Sequence, residues 1–305
     1  MIDPRLVAIE PSVRDIDAEA VRLGGGQLSD LGPEVGALIW TDYKHPEVLT
    51  RLLDENPQLK CVQLPWAGID AFANLIKRPL LFTCAKGSYR EPVAEHALML
   101  ALASARILPT RIRAKSWGPK HAVSLYDSNV VIVGGGGIAE ELVAQLKPFR
   151  ARISIVRNRV LPFAGNVNVL SLKDLDSVLP QADFVFLACA LTDETRGLFD
   201  AERLSKMPAS CYLINVARGP VVDTMALVAA LNSGALAGAG IDVTDPEPLP
   251  EGHPAWDCEN LIITPHSADT DLQVEPMFAR RIRENVHAYV SGLPMVGVVD
   301  PVLGY

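Results

Sequence analysis

The 305-residue chain lacks any surplus of positive charge, with 28 Lys and Arg against 36 Asp and Glu and a net charge of −8. Broad affinity for nucleic-acid backbones or acidic membrane faces needs a basic excess, so neither partner is expected. Cysteine is scarce too. Cys61, Cys84, Cys189, Cys211 and Cys258 are odd in number, show no C-x-x-C spacing and mostly flank apolar β-like runs. They read as buried thiols in a reducing cytosol, which excludes a disulfide framework. No spacing of His, Cys and carboxylates suits a metal, and no G-x-S-x-G elbow offers a serine nucleophile. The opening MIDPRLVAIE has acids within ten residues and no apolar core of signal-peptide length, so the cytoplasm is expected. The longest uncharged stretch, Thr224 to Ile241, approaches bilayer-crossing length, but Asn232, Ser233 and Gly234 interrupt it. A helix that stops at Gly234 and a following strand fit it better than a membrane span.

What is present is apolar patterning. Hydrophobic residues at 49% and charged residues at 21% describe an ordinary folded chain, and the length suits two domains of about 150 residues each. From Val130 onward, six β-branched runs alternate with helix-period segments: VVIVG (130–134), ISIV (153–156), FVFLACA (184–190), YLINVA (212–217), AGIDV (239–243) and LIITP (261–265). Near-continuous apolar strands separated by helices predict a doubly wound parallel α/β sheet covered on both faces. Before residue 100 the alternation recurs in smaller form, with strands in RLVAIE, ALIW, LKCVQLP and LLFTCA and helices in HPEVLTRLLDENP and IDAFANLIKR. The segment 91–118 has helical periodicity through Arg113 and carries the domain boundary. The helical stretch beginning at Asp271 is expected to return to the first unit. The limits that follow are 1–98 plus 270–305 for one domain and 99–269 for the other.

A strand runs straight into Gly134, Gly135, Gly136, Gly137, Ile138 and Ala139, and then into a helix. A tight strand-to-helix turn needs conformational freedom at Gly134, and a pyrophosphate nearing the helix end needs no side chain at Gly136. Gly134, Gly136, Gly137 and Ile138 are therefore candidate cofactor contacts, with Ala190 and Ala217 at the ends of their strands. The next strand ends in Arg157, Asn158 and Arg159, where an NAD-binding unit offers a carboxylate to the ribose. Guanidinium groups there suit a 2′-phosphate, so NADP(H) is favoured over NAD(H).

Arg218, Glu247 and His266 each follow a successive strand, at the edge where an open parallel sheet forms its ligand crevice. Arg218 offers a planar fork for a carboxylate and positive charge for a carbonyl oxygen. His266 can move a proton near neutral pH, and Glu247 can orient its ring. His45, His121, His253 and His287 have no such placement.

These segments, with LPWAGID (64–70), EPVAEHALML (91–100), ALTDETRGLF (190–199), LINVARGPVVD (213–223), GIDVTDPEPLP (240–250) and LIITPHSA (261–268), resemble the D-isomer-specific 2-hydroxyacid dehydrogenase family over most of the chain. The resemblance implies two Rossmann-like domains, the smaller one flavodoxin-like and substrate-binding. It also implies a homodimer and hydride exchange between a nicotinamide cofactor and a short D-2-hydroxy acid or 2-oxo acid, as in glyoxylate or hydroxypyruvate reductases. By the same resemblance Arg218 binds substrate, Glu247 is the acid partner and His266 the acid/base. Asp242 meets the nicotinamide carboxamide, and the backbone at Trp66, Ala67 and Gly68 holds the substrate carboxylate. Two departures bear on the substrate: Asp269 stands where many relatives have glycine, and Trp66 is bulkier than the usual residue. Alternatives are an NAD-dependent 3-phosphoglycerate dehydrogenase and a nucleotide-sensing, corepressor-like binding protein.

Overall fold

The apolar runs form two sheets in which every paired strand is parallel. The structure, a computed structural model, describes residues 2–118 and 120–301. Met1, Pro119 and 302–305, which the expected domain limits include, lie outside the described residues.

The first unit contains β1 (Asp3–Glu10), α1 (Asp15–Leu23), β2 (Gln27–Leu28), β3 (Val35–Trp40), α2 (Pro46–Glu55), β4 (Cys61–Gln63) and β5 (Leu81–Thr83). Its strand order, β2-β1-β3-β4-β5, is the flavodoxin-like one. The segment IDAFANLIKR, expected as a helix, forms two single 3₁₀ turns, Asp70–Phe72 and Leu75–Lys77. Ile69, Phe72, Leu75 and Ile76 are all buried there, so the apolar spacing reported burial and not helix length.

The second unit opens with α3 (Arg90–Ala105) and α4 (Leu108–Arg113), expected as one continuous helix. Pro109 has no N–H to give the Ala105 carbonyl. Val123 N–H binds that carbonyl instead at 2.9 Å, and Ile107 turns left-handed at φ 48°. Then follow β6 (Asn129–Val133), α5 (Gly137–Leu146), β7 (Arg152–Arg157), β8 (Asn168–Ser171), α6 (Leu175–Val178), β9 (Phe184–Leu187), α7 (Ala201–Ser205), β10 (Tyr212–Asn215), α8 (Thr224–Asn232), β11 (Gly238–Ile241) and β12 (Leu261–Ile263). The order β12-β11-β10-β9-β6-β7-β8 reverses direction between β9 and β6, the switch point at which doubly wound sheets bind dinucleotides. Helix α8 begins as its sequence indicates, with the Asp223 carboxylate accepting from Ala226 N–H, and Gly234 beyond it is left-handed at φ 74°.

Helix α9 (Asp271–Ser291) packs on α1 within the first unit. The chain divides into residues through Tyr89 with those from Thr270 onward, and Arg90–Asp269. The expected limit between 98 and 99 falls inside α3, whose main contacts are with α5, β10 and β11, so the whole helix stays with the second unit. No helix of the described residues is long and apolar enough to cross a membrane.

Candidate active site

Strands β10, β11 and β12 are neighbours in register, so the loops after them leave the sheet side by side. Arg218 follows β10 and Glu247 follows β11, while His266 comes three residues after the end of β12. The imidazole and carboxylate meet: His266 Nδ1–H donates to Glu247 Oε1 at 2.6 Å, with both side chains a little under half exposed. That bond orients the ring and leaves Nε2 for a substrate proton.

Two devices set these loops. Asn215, the last residue of β10, accepts from Ala217 N–H at 3.0 Å and donates to the Arg218 carbonyl at 3.2 Å, which fixes the turn that carries Arg218. Arg218 Nη1 donates to the Ala217 carbonyl at 2.8 Å. Gly219 then passes so near the Thr244 backbone that any β-carbon would overlap its carbonyl. The Arg218 turn is thereby nested against the strand-end loop whose Thr244 N–H points to Glu247 Oε2 at 3.4 Å.

Asp242, 2% exposed, is the hub of the His266 loop. Its Oδ1 accepts from Thr264 Oγ1 at 2.5 Å and Ser267 N–H at 2.9 Å, its Oδ2 from Ala268 N–H at 3.0 Å, and its backbone carbonyl from His266 N–H at 2.8 Å. Burial alone would push this carboxyl up. Hydrogen bonds from His96, Thr264, Ser267 and Ala268 outweigh burial and hold it below its ordinary range. Held from so many sides, His266 takes a left-handed backbone at φ 51°, rare for a residue with a side chain. His96 was not singled out from the sequence. Only its position four residues before Leu100 on one helix face hinted at a shared contact.

The glycine turn has the shape a dinucleotide phosphate needs. Gly134 sits at φ 118° against the Ala188 backbone, Gly136 faces open space, and α5 starts at Gly137 with Ile138 half-buried and Ala139 fully buried. The α5 end thus presents unpaired N–H groups to a space that can admit an anion, so these residues fit a nicotinamide dinucleotide. Arg157, at the end of β7, lies across Gly135, its Cδ and Nε 2.8 Å from where a β-carbon would stand. Asn158 and Arg159 are exposed, and Asn158 donates to Glu194 at 2.8 Å. Glu194 places a carboxylate at this corner, which the sequence did not reveal. Ala217 is buried, whereas Ala190 is exposed and its carbonyl accepts from Thr195 Oγ1 at 2.7 Å.

Trp66, Ala67 and Gly68 belong to the first unit, just after β4. The Trp66 ring lies 5.5 Å from Tyr43 and 5.4 Å from Tyr89 between centroids, and its carbonyl accepts from Ala85 N–H at 3.0 Å. The bulk of the indole is absorbed by this aromatic cluster, while Ala67 is exposed. All five cysteines are free thiols, four buried and Cys189 half-buried. Burial pushes the thiols of Cys61 and Cys189 up to about 12 and about 11, so neither is a ready nucleophile.

Comparison with known proteins points to one family. Residues 96–268 match the family described as D-isomer specific 2-hydroxyacid dehydrogenase, NAD binding domain. A glyoxylate/hydroxypyruvate reductase B of Citrobacter koseri is 36% identical over 83% of this chain and 82% of its own. A glyoxylate reductase of Thermofilum pendens is 33% identical over 79% and 75%. The crystal structure of a D-isomer specific 2-hydroxyacid dehydrogenase of Xanthobacter autotrophicus, in complex with NADPH and MES, is 29% identical, covers 98% of this chain and 99% of its own, and superposes with a TM-score of 0.84.

Proposed function

The chain belongs to the D-isomer specific 2-hydroxyacid dehydrogenases, NAD(P)-dependent oxidoreductases acting on a CH–OH group, and from that premise we propose that it reduces short 2-oxo acids of the glyoxylate and hydroxypyruvate kind with NADPH. The observation that carries the proposal is the 2.6 Å His266–Glu247 bond, set on the strand-end edge that also presents Arg218. The names of the relatives support the substrate class, and the guanidinium of Arg157 beside the glycine turn supports a 2′-phosphate.

When bound, the nicotinamide supplies or accepts a hydride at C4. The residues of the chain do the rest. In reduction, His266 gives the Nε2 proton to the carbonyl oxygen, which becomes the hydroxyl. Glu247 keeps Nδ1–H engaged and balances the charge of the doubly protonated ring. Arg218 offsets negative charge growing on that oxygen, the preorganised assistance that lowers such barriers most. The Trp66, Ala67 and Gly68 backbone is assigned the substrate carboxylate, and Asp242 the nicotinamide carboxamide. Gly134, Gly136, Gly137, Ile138, Ala190 and Ala217 line the cofactor, with Arg157, Asn158 and Arg159 at its 2′-phosphate. On this reading Arg90–Asp269 is the nucleotide unit and the remainder the substrate unit.

A 3-phosphoglycerate dehydrogenase would need cations beside the Trp66 loop; Lys44, over the Tyr43 ring that packs on Trp66, is one such charge, and it is the relatives named as glyoxylate and hydroxypyruvate reductases that favour the smaller substrates. A corepressor-like sensor would leave the His266–Glu247 pair without work. We further assign the protein to the cytoplasm as a homodimer. Support for the dimer is the exposure of Ile112 (73%) and Trp117 (91%), which a partner would cover.

The test is reduced-nicotinamide absorbance with a panel of 2-oxo acids and both cofactors. Turnover of glyoxylate or hydroxypyruvate is expected, with a higher kcat/KM for NADPH. His266→Ala should lose about a hundredfold to ten-thousandfold in kcat while still binding cofactor. No turnover by the parent, or near-normal kcat in that variant, overturns the reading.

A further inference from the structure

His96 lies on α3, remote in sequence from every residue given a role above, yet it is locked to the hub of the acid/base loop. Its Nε2–H donates to Thr264 Oγ1 at 2.9 Å and lies 3.3 Å from Asp242 Oδ1. Thr264 spends its only hydroxyl proton on Asp242, so its oxygen is left to accept from the imidazole. The ring is 14% exposed and the carboxylate 2%. An imidazole this deep, directed at a buried carboxylate, is more than surface decoration.

The packing beneath explains how a helix residue reaches a strand end. Leu100 stands one helical turn after His96 on the same face of α3, and Gly240 in β11 stands two residues before Asp242, which directly follows the strand's last residue. Leu100 Cβ is 2.8 Å from where a β-carbon on Gly240 would be. Four helical residues rise about 6 Å and two strand residues about 6.6 Å. With Leu100 seated on the bare backbone of Gly240, the matching step along each element brings His96 to Asp242. The missing side chain at Gly240 is thus what sets the depth of the imidazole.

We propose that His96 is a positioning residue for hydride transfer: through Thr264 and Asp242 it holds the 264–268 loop in the one conformation that aims His266 at the substrate oxygen and keeps it bonded to Glu247. Every link is a hydrogen bond within this loop or to it. Thr264 and Asp242 are gripped by His96, Asp242 grips the N–H groups of His266, Ser267 and Ala268, and His266 closes on Glu247. With His96 gone, the Thr264 hydroxyl keeps its bond to Asp242 but loses the donor that fixes it from the other side, one of the donors facing Asp242 is lost, and the left-handed backbone at His266 loses part of what imposes it. The assignment rests on His266 being the acid/base.

The experiment compares the parent with His96→Ala, His96→Gln and Thr264→Val in the full chain. A short histidine–carboxylate bond gives a downfield imidazole proton signal in NMR, attributed to His266 by its disappearance in His266→Gln. His96→Ala and Thr264→Val should each broaden or abolish that signal. They should lower kcat by about a hundredfold, the scale of a small misplacement of a catalytic group, while substrate KM and NADPH Kd change less than about threefold. His96→Gln, whose amide N–H can replace the donor, should restore the signal and most of kcat. The proposal is overturned if His96→Ala keeps both signal and kcat. It is equally overturned if the Ala and Gln variants lose melting temperature, cofactor affinity and kcat together, since that pattern marks a merely structural role. A parent that reduces no 2-oxo acid would defeat the reductase reading, while the NMR signal would still decide whether His96 holds His266 in place.

Discussion

Gly219 and Thr244 touch backbone to backbone, with no room between them for a single methyl group. The contact joins the turn that presents Arg218 to the loop that presents Glu247, so the two side chains proposed for catalysis, from different strand ends, share one rigid support. Backbone cannot swing aside as a long side chain can. Gly219→Ala should therefore force the two loops apart, costing about 1–3 kcal/mol or more of stability, the range for overpacking a filled site. Thermal melting and steady-state kinetics would check it, with a fall in Tm and a larger fall in kcat than in cofactor affinity expected. An alanine variant with unaltered kcat would mean that the nesting does not hold the site.

Asp242 gives the site a pH signature. Its donors hold its carboxyl below the ordinary range despite burial. An acid depressed in the folded state stabilises the fold above the unfolded value, about pH 4, and that stability is lost as pH falls through the lower folded value. Asp242→Asn removes the charge and turns an N–H₂ group toward N–H donors, costing about 1–3 kcal/mol near neutrality. The difference in urea midpoint between parent and variant should hold steady from neutrality down to about pH 5 and shrink below about pH 4. A difference that stays constant into strong acid would show that the carboxylate charge is not what holds the loop.

Much of this was legible before any coordinates. Strands β6, β9, β10 and β11 are buried almost throughout, so their sequences read as apolar runs, and the candidate site residues in the loops beyond their ends stand out. Strand β8 leaves no mark in the sequence because its four residues, NVLS, are at most half-buried at a sheet edge and carry no apolar run. The break between α3 and α4 turns on one missing N–H at Pro109, while the apolar period continues across it. His96 and Glu194 were hidden for a common reason. Each acts through a partner brought near by tertiary packing, Asp242 for one and Asn158 for the other, and neither distance is encoded in local spacing.

The cofactor corner yields a further test. Arg157 lies across the bare Gly135 peptide, a position from which its guanidinium can pair with a 2′-phosphate but gains little from a ribose hydroxyl. Arg157→Ala should raise KM for NADPH by about tenfold or more and leave KM for NADH nearly unchanged, because a charge-assisted bond is lost in one case only. Glu194, bonded to Asn158, would set a negative charge near a 2′-phosphate held at this corner. Glu194→Gln should lower KM for NADPH modestly. Initial rates with both cofactors would decide, and an equal effect of Arg157→Ala on NADPH and NADH would remove Arg157 from the 2′-phosphate.

Asp269 is the acid with most to reveal about substrate choice. Burial pushes its carboxyl above the ordinary range; His266 and Arg218 pull it down and Asp242 pushes it up. A raised folded value means that the folded state holds a proton the unfolded chain has already released. Asp269 therefore costs stability above that raised value, and the cost vanishes below about pH 4. Asp269→Asn should raise the denaturation midpoint near neutrality and leave it unchanged near pH 3.5. The same substitution removes a negative charge that interacts with both Arg218 and His266, so an anionic 2-oxo acid should bind with a severalfold lower KM and a similar kcat. If KM rises instead, Asp269 contacts the substrate favourably, through a hydroxyl or an amine, and the preferred 2-oxo acid carries such a group beside its carbonyl.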